Sequence, residues 1–112
     1  MLAKASLQTL VLTDRMEIAE AFYREILGLR LVERSHGAAV FDVGGGELRL
    51  SPVPKTKPSE HTILGFAVPD LVAVVSALIG QGVVLERFPG WPHDARGVIR
   101  TPEGASVAWF RD

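Results

Sequence analysis

Gly28-Leu29-Arg30-Leu31-Val32-Glu33-Arg34 is echoed later in the chain by Gly82-Val83-Val84-Leu85-Glu86-Arg87. In both, a glycine that stops a helix leads into an apolar run closed by Glu-Arg. Each stretch follows an aspartate, Asp14 or Asp70, that ends one apolar run and stands where a helix begins. A glycine turn, at Gly46 and again at Gly104, precedes the last strand of both halves. The order strand, helix and three strands therefore occurs twice. It predicts an α+β domain of two β-α-β-β-β repeats, residues 1–51 and 61–112, joined by a linker over 52–60. A period of half the chain is too long for a solenoid of short repeats, and an internal duplication accounts for it.

Outward from these stretches, local chemistry predicts the elements. Ser6 to Leu12 reads as a strand. Asp14 is placed to cap the following helix, with Glu17 three residues on completing a capping box. Ile18, Phe22, Ile26 and Leu29 recur at helical spacing and mark its apolar face, with Glu20 and Arg24 as a surface pair one turn apart. Strands follow at Leu29–Glu33, Ala38–Val43 and Glu47–Ser51, separated by Ser35-His36-Gly37 and by Gly44-Gly45-Gly46. Pro52, Pro54 and Pro58 exclude helix or central strand from the linker. The order then restarts. Thr62–Val68 is a strand, Asp70 a cap, and Leu71, Val74, Val75, Leu78 and Ile79 the stripe of an amphipathic helix. Val83–Phe88, Gly97–Arg100 and Ala105–Phe110 supply the remaining strands.

Composition bounds the function. The chain has 112 residues, the size of one domain, 47% of them apolar, and a formal net charge of −1. No basic stripe favours nucleic acid, and no apolar run is long enough to span a membrane. With no cysteine, thiolate catalysis, zinc–thiolate sites and disulfides are excluded, which fits the cytoplasm. No signal-peptide pattern opens the sequence. There is no nucleophile elbow and no phosphate-binding glycine loop.

Phe22-Tyr23-Arg24-Glu25-Ile26-Leu27-Gly28, Phe66-Ala67-Val68-Pro69-Asp70 and Thr101-Pro102-Glu103-Gly104 together resemble the signatures of the vicinal oxygen chelate superfamily. Glyoxalase I, bleomycin-resistance proteins, fosfomycin-resistance enzymes and extradiol dioxygenases belong to it. The resemblance implies that the two sheets form a curved ligand trough with the helices on its convex face. It also implies a homodimer. Catalytic members hold a divalent metal with His or Gln on the first strand of each half and Glu on the last.

Carried over position by position, that ligand set is mostly missing. Counting back from Asp14 reaches Leu7, with Gln8 one place away, and the register is open by one residue. Arg49 occupies the first Glu position, where a cation repels a metal. Ile63 and Ala108 occupy the second-half positions, and His61 lies two residues upstream of Ile63. Gln8 and His61 are thus the only candidate metal donors. The expectation is a protein without a metal cofactor, the alternative being one divalent metal.

The strand pleat places Glu47, Arg49 and Ser51 in the trough with Ile63, Gly65, Ala67, Ser106, Ala108 and Phe110, while Val107 and Trp109 turn to the helices. The loop Phe88–Asp94 adds Trp91 and His93 as an aromatic wall, or else as a plug for the end of the core. His36 reads as a turn residue. The expected function is binding of a small aromatic or anionic molecule, as in the metal-free bleomycin-resistance-like branch, with no catalytic residue. A metal-dependent lyase, isomerase or dioxygenase is one alternative, and a non-catalytic partner or regulatory domain another.

Overall fold

In the computed structural model, which describes residues 1–112, the first half is built around one four-stranded sheet. Its elements are β1 (Gln8–Thr13), α1 (Met16–Ala21), a π-helical turn (Phe22–Ile26), β2 (Arg30–Ser35), β3 (Ala38–Val43) and β4 (Gly46–Pro52). The strand order is β1-β4-β3-β2, with β1 parallel to β4 and the other pairs antiparallel. Alternation along the strands decides the faces: Val11, Ala39, Phe41, Leu48 and Leu50 turn to one side and pack with Ala19 and Tyr23 from the helical segment. Phe41 and Leu50 are fully buried at its centre.

Phe22 and Leu29 pack on the core as expected, but the helix departs from its expected face at Ile18. Ile18 is 68% exposed, and Ala19 and Tyr23 are the buried positions. Ala19 and Tyr23, four residues apart, are the positions that meet the sheet, and Ile18 lies to one side of them. After them a π-helical turn, in which Leu27 N–H reaches back five residues to the Phe22 carbonyl, widens the end of the helix. Asp14 does not cap this helix either. Helix α1 begins one residue later, after Arg15, whose N–H is taken by the Thr13 hydroxyl. The Asp14 carboxylate instead accepts from Thr56 N–H and holds the linker against the end of β1. Glu20 pairs with Arg34 on β2, through a fork of two hydrogen bonds, in place of a one-turn pair with Arg24.

The second half is sparser. Helix α2 (Leu71–Gly80) is capped as expected, the Asp70 carboxylate accepting from Ala73 N–H at 3.1 Å. Strands β5 (Ile99–Arg100) and β6 (Ser106–Val107) form a two-stranded ladder. Residues 62–68 join no ladder, although their burial still alternates, with Leu64, Phe66 and Val68 half-buried and Ile63, Gly65 and Ala67 exposed. Residues 83–88 keep a single bridge, Leu85 to Phe110. A period of two records which side chains want burial, whereas a strand also needs a partner backbone in register. Val75, Leu85 and Val98 form the second core.

The chain divides into compact units at Met1–Gly65 and Phe66–Asp112, so the linker belongs with the first. No helix is long and apolar enough to cross a membrane.

Candidate functional site

The far face of the first sheet, turned away from α1, carries the polar side chains that the core rejects. Register arranges them in cross-strand rows. One row runs Arg30, Asp42, Glu47, Gln8; the next runs Glu33, Val40, Arg49, Leu10. Ser51 lies two residues beyond Arg49 on β4, opposite Leu12, and Ser35 lies opposite Ala38. Leu10 and Leu12 are 60% and 54% exposed, while Ala38 and Val40 are buried.

Side chains in the first row are bonded to one another, one pair ionic and one an amide–carboxylate hydrogen bond. Arg30 Nη2 lies 3.4 Å from Asp42 Oδ2, and Gln8 Nε2 donates to Glu47 Oε2 at 3.0 Å. Arg49, in the next row, has no such match. It is half-buried, Nη2 donates to the Ser35 carbonyl at 3.2 Å, and none of the ion pairs includes it. Beside it, the Ser35 hydroxyl shares a hydrogen bond of 3.0 Å with His36 Nδ1.

Gln8 therefore stands on the same face as Arg49 and Ser51. Glu47 lies on the expected face, but its pairing with Gln8 was not legible in the sequence, because the two are 39 residues apart and only the parallel β1–β4 register joins them. His61 stands on no strand. It is exposed, and its N–H is bonded to the Ser59 hydroxyl. Within each unit, no three His, Asp or Glu side chains converge as a metal site would require.

In the second unit the structure reverses the expected faces of the last strand. Ala108 and Phe110 pack on Val75, Leu85 and Val98, against α2, and Ser106 is exposed. Trp109 goes the other way, into an aromatic cluster with Phe88 and Trp91. Its ring stands 5.2 Å from Phe88 and 6.2 Å from Trp91, edge to face in both cases. Once Trp109 is drawn there, a period of two sends its neighbours to the core.

The loop bearing Trp91 is held by its own side chains. His93 Nε2 accepts from Phe88 N–H, and Nδ1 donates to the Gly97 carbonyl, both at 2.9 Å. This fixes one neutral tautomer. Asp94 Oδ1 accepts from the N–H groups of Arg96 and Val98, and the Val98 bond is the main reason its carboxyl lies below the usual range. Trp91 remains 57% exposed. His93 and Asp94 bond to different partners and form no acid–base pair.

Residues 6–108 match the family described as the Glyoxalase/Bleomycin resistance protein/Dioxygenase superfamily. Among solved structures, a member of that superfamily from Sphaerobacter thermophilus is similar at a TM-score of 0.74 and 17% identity, over 100% of this chain and 91% of its own. A lactoylglutathione lyase from Agrobacterium tumefaciens is similar at a TM-score of 0.59 and 24% identity, over 98% and 95%. An integron cassette protein from the mobile metagenome of V. cholerae gives 0.60 and 18%, over 98% and 96%. At these identities the likeness is one of fold. No curated protein matches the chain.

Proposed function

Because the chain belongs to the Glyoxalase/Bleomycin resistance protein/Dioxygenase superfamily, we propose that it binds a small anionic or aromatic molecule without a metal, as bleomycin-resistance-like proteins do. One observation carries this reading: Arg49 is a half-buried cation in no ion pair, bonded to the Ser35 carbonyl, whereas Arg30 on the same face pairs with Asp42. A half-buried guanidinium favours a planar anion, which it can grip with two parallel hydrogen bonds. Exposed Leu10 and Leu12 lie on the same face and suit the apolar body of such a compound. On the second unit, Trp91 offers an aromatic surface that the His93-braced loop keeps in place.

The superfamily's divalent metal does not suit this donor set. Gln8 and Glu47 are the paired oxygen-bearing side chains on this face, and the guanidinium in the adjoining row opposes a dication. The absence of cysteine supports a cytoplasmic setting, and the family resemblance supports a homodimer.

Thermal-shift measurements against planar and anionic compounds test the reading. A ligand should raise Tm in the wild type, more at low than at high ionic strength, and Arg49→Gln should remove most of the rise. If no compound stabilises the wild type, the proposal is wrong.

A metal-dependent lyase, isomerase or dioxygenase is a second reading, favoured only by the Gln8–Glu47 pair. A stoichiometric metal content in protein purified without chelator would establish it.

A further inference from the structure

The hairpin joining β2 to β3 has a feature that turn formation does not require. Its two central residues, His36 and Gly37, both have positive φ, +52° and +80°, as a two-residue type I′ turn demands. Glycine or asparagine meets that demand at low cost, whereas an imidazole at the first position keeps a Cβ in the left-handed region. His36 is the only residue other than glycine with positive φ in the chain. The strained position places the ring where its Nδ1 bonds the Ser35 hydroxyl. Ser35 lies opposite Ala38, which puts its side chain on the far face, and its carbonyl receives Arg49 Nη2. Ser51 projects from the same face two residues beyond Arg49.

An unmatched guanidinium, two hydroxyls and an imidazole are thus gathered at one end of the sheet, with no carboxylate bonded to any of them. Each can donate a hydrogen bond. If the Ser35 hydroxyl donates to Nδ1, the other ring nitrogen bears the N–H; if Nδ1 donates, the hydroxyl proton is free. In either arrangement the Ser35–His36 pair keeps one donor for a ligand.

We infer that Arg49, Ser35, Ser51 and His36 form an oxyanion-binding site for a carboxylate or phosphate group carried by a small molecule. This rests on the anionic-ligand reading above and adds the hairpin residues to it. Arg49 supplies the charge, and Ser35, Ser51 and His36 supply neutral donors that orient the anion.

Nuclear magnetic resonance titrations of the full chain at low ionic strength, with inorganic phosphate in one arm and benzoate in the other, test the inference. The Arg49 guanidinium and His36 ring signals should move along one saturating curve. Response to phosphate alone, benzoate alone or both supports the site and identifies the anion it prefers. Ser35→Ala and His36→Gly should each weaken binding roughly three- to tenfold, the effect of one lost hydrogen bond. Arg49→Gln should abolish it. His36→Gly relieves the positive φ, so its melting temperature should not fall, and lost affinity is then not lost folding. No saturable shift with either anion, or unchanged affinity in either hairpin variant, overturns the inference. If the hairpin variants bind normally and Arg49→Gln does not, the proposed function stands and this site is wrong.

Discussion

Gln8 and Glu47, 39 residues apart, meet side by side on β1 and β4, the Gln8 amide donating to the Glu47 carboxylate at 3.0 Å. Two side chains that could each offer oxygen to a metal are here engaged with one another, beside the row that holds Arg49. The expected outcome is sub-stoichiometric Mn, Fe, Ni and Zn in protein purified without chelator, and a Tm unmoved by EDTA. A drop in Tm on chelation would instead mean that the amide–carboxylate bond opens to admit a metal.

His93 braces the aromatic loop through both ring nitrogens. His93→Ala removes two hydrogen bonds and should cost about 1–2 kcal/mol. The chain's two tryptophans, Trp91 and Trp109, both lie in the cluster next to this loop, so intrinsic fluorescence reports on it alone. Emission should shift to the red in the variant as Trp91 gains water. Unchanged emission and unfolding would show that the proline-flanked loop holds itself.

Asp94 has a folded pKa below its unfolded one, chiefly because the Val98 N–H bonds its carboxylate. Its contribution to stability is therefore complete above the unfolded carboxylate range and is lost as pH falls through the lowered folded value. Glu20, lowered by its hydrogen bonds from Arg34, acts in the same direction. Denaturant unfolding at a series of acid pH values should give a shallower loss of stability for Asp94→Asn than for the wild type. Parallel curves would remove Asp94 from the account.

Gly97 is buried with φ +98°, and a Cβ there would stand 3.0 Å from Leu85 Cβ. Gly97→Ala meets both a strained backbone and a second-core side chain without room to retreat. The cost should be about 2–4 kcal/mol in chemical denaturation. A loss below about 0.5 kcal/mol, within the range of neutral surface changes, would mean that the loop shifts freely.

Much of this fold is written locally. The Asp70 cap, the hairpins at Ser35–Ala38 and Val43–Gly46, and the alternation along β4 depend on neighbours within a few residues, and sequence alone determined them. The order of elements and the family signatures carried the superfamily assignment for the same reason. Tertiary structure decided what depends on distant parts of the chain. Packing against the first sheet buried Ala19 and Tyr23 and left Ile18 outside. The linker claimed Asp14 from the helix cap, and the aromatic loop claimed Trp109, sending Ala108 and Phe110 inward. Periodicity gives the spacing of a pattern but not its phase, because phase is set by the partner against which the pattern packs. By the same logic, sequence marked Arg49 as a misfit at a metal position. Only the register of four strands showed that Ser35 and Leu10 join Ser51 beside it, with Glu47 bonded to Gln8.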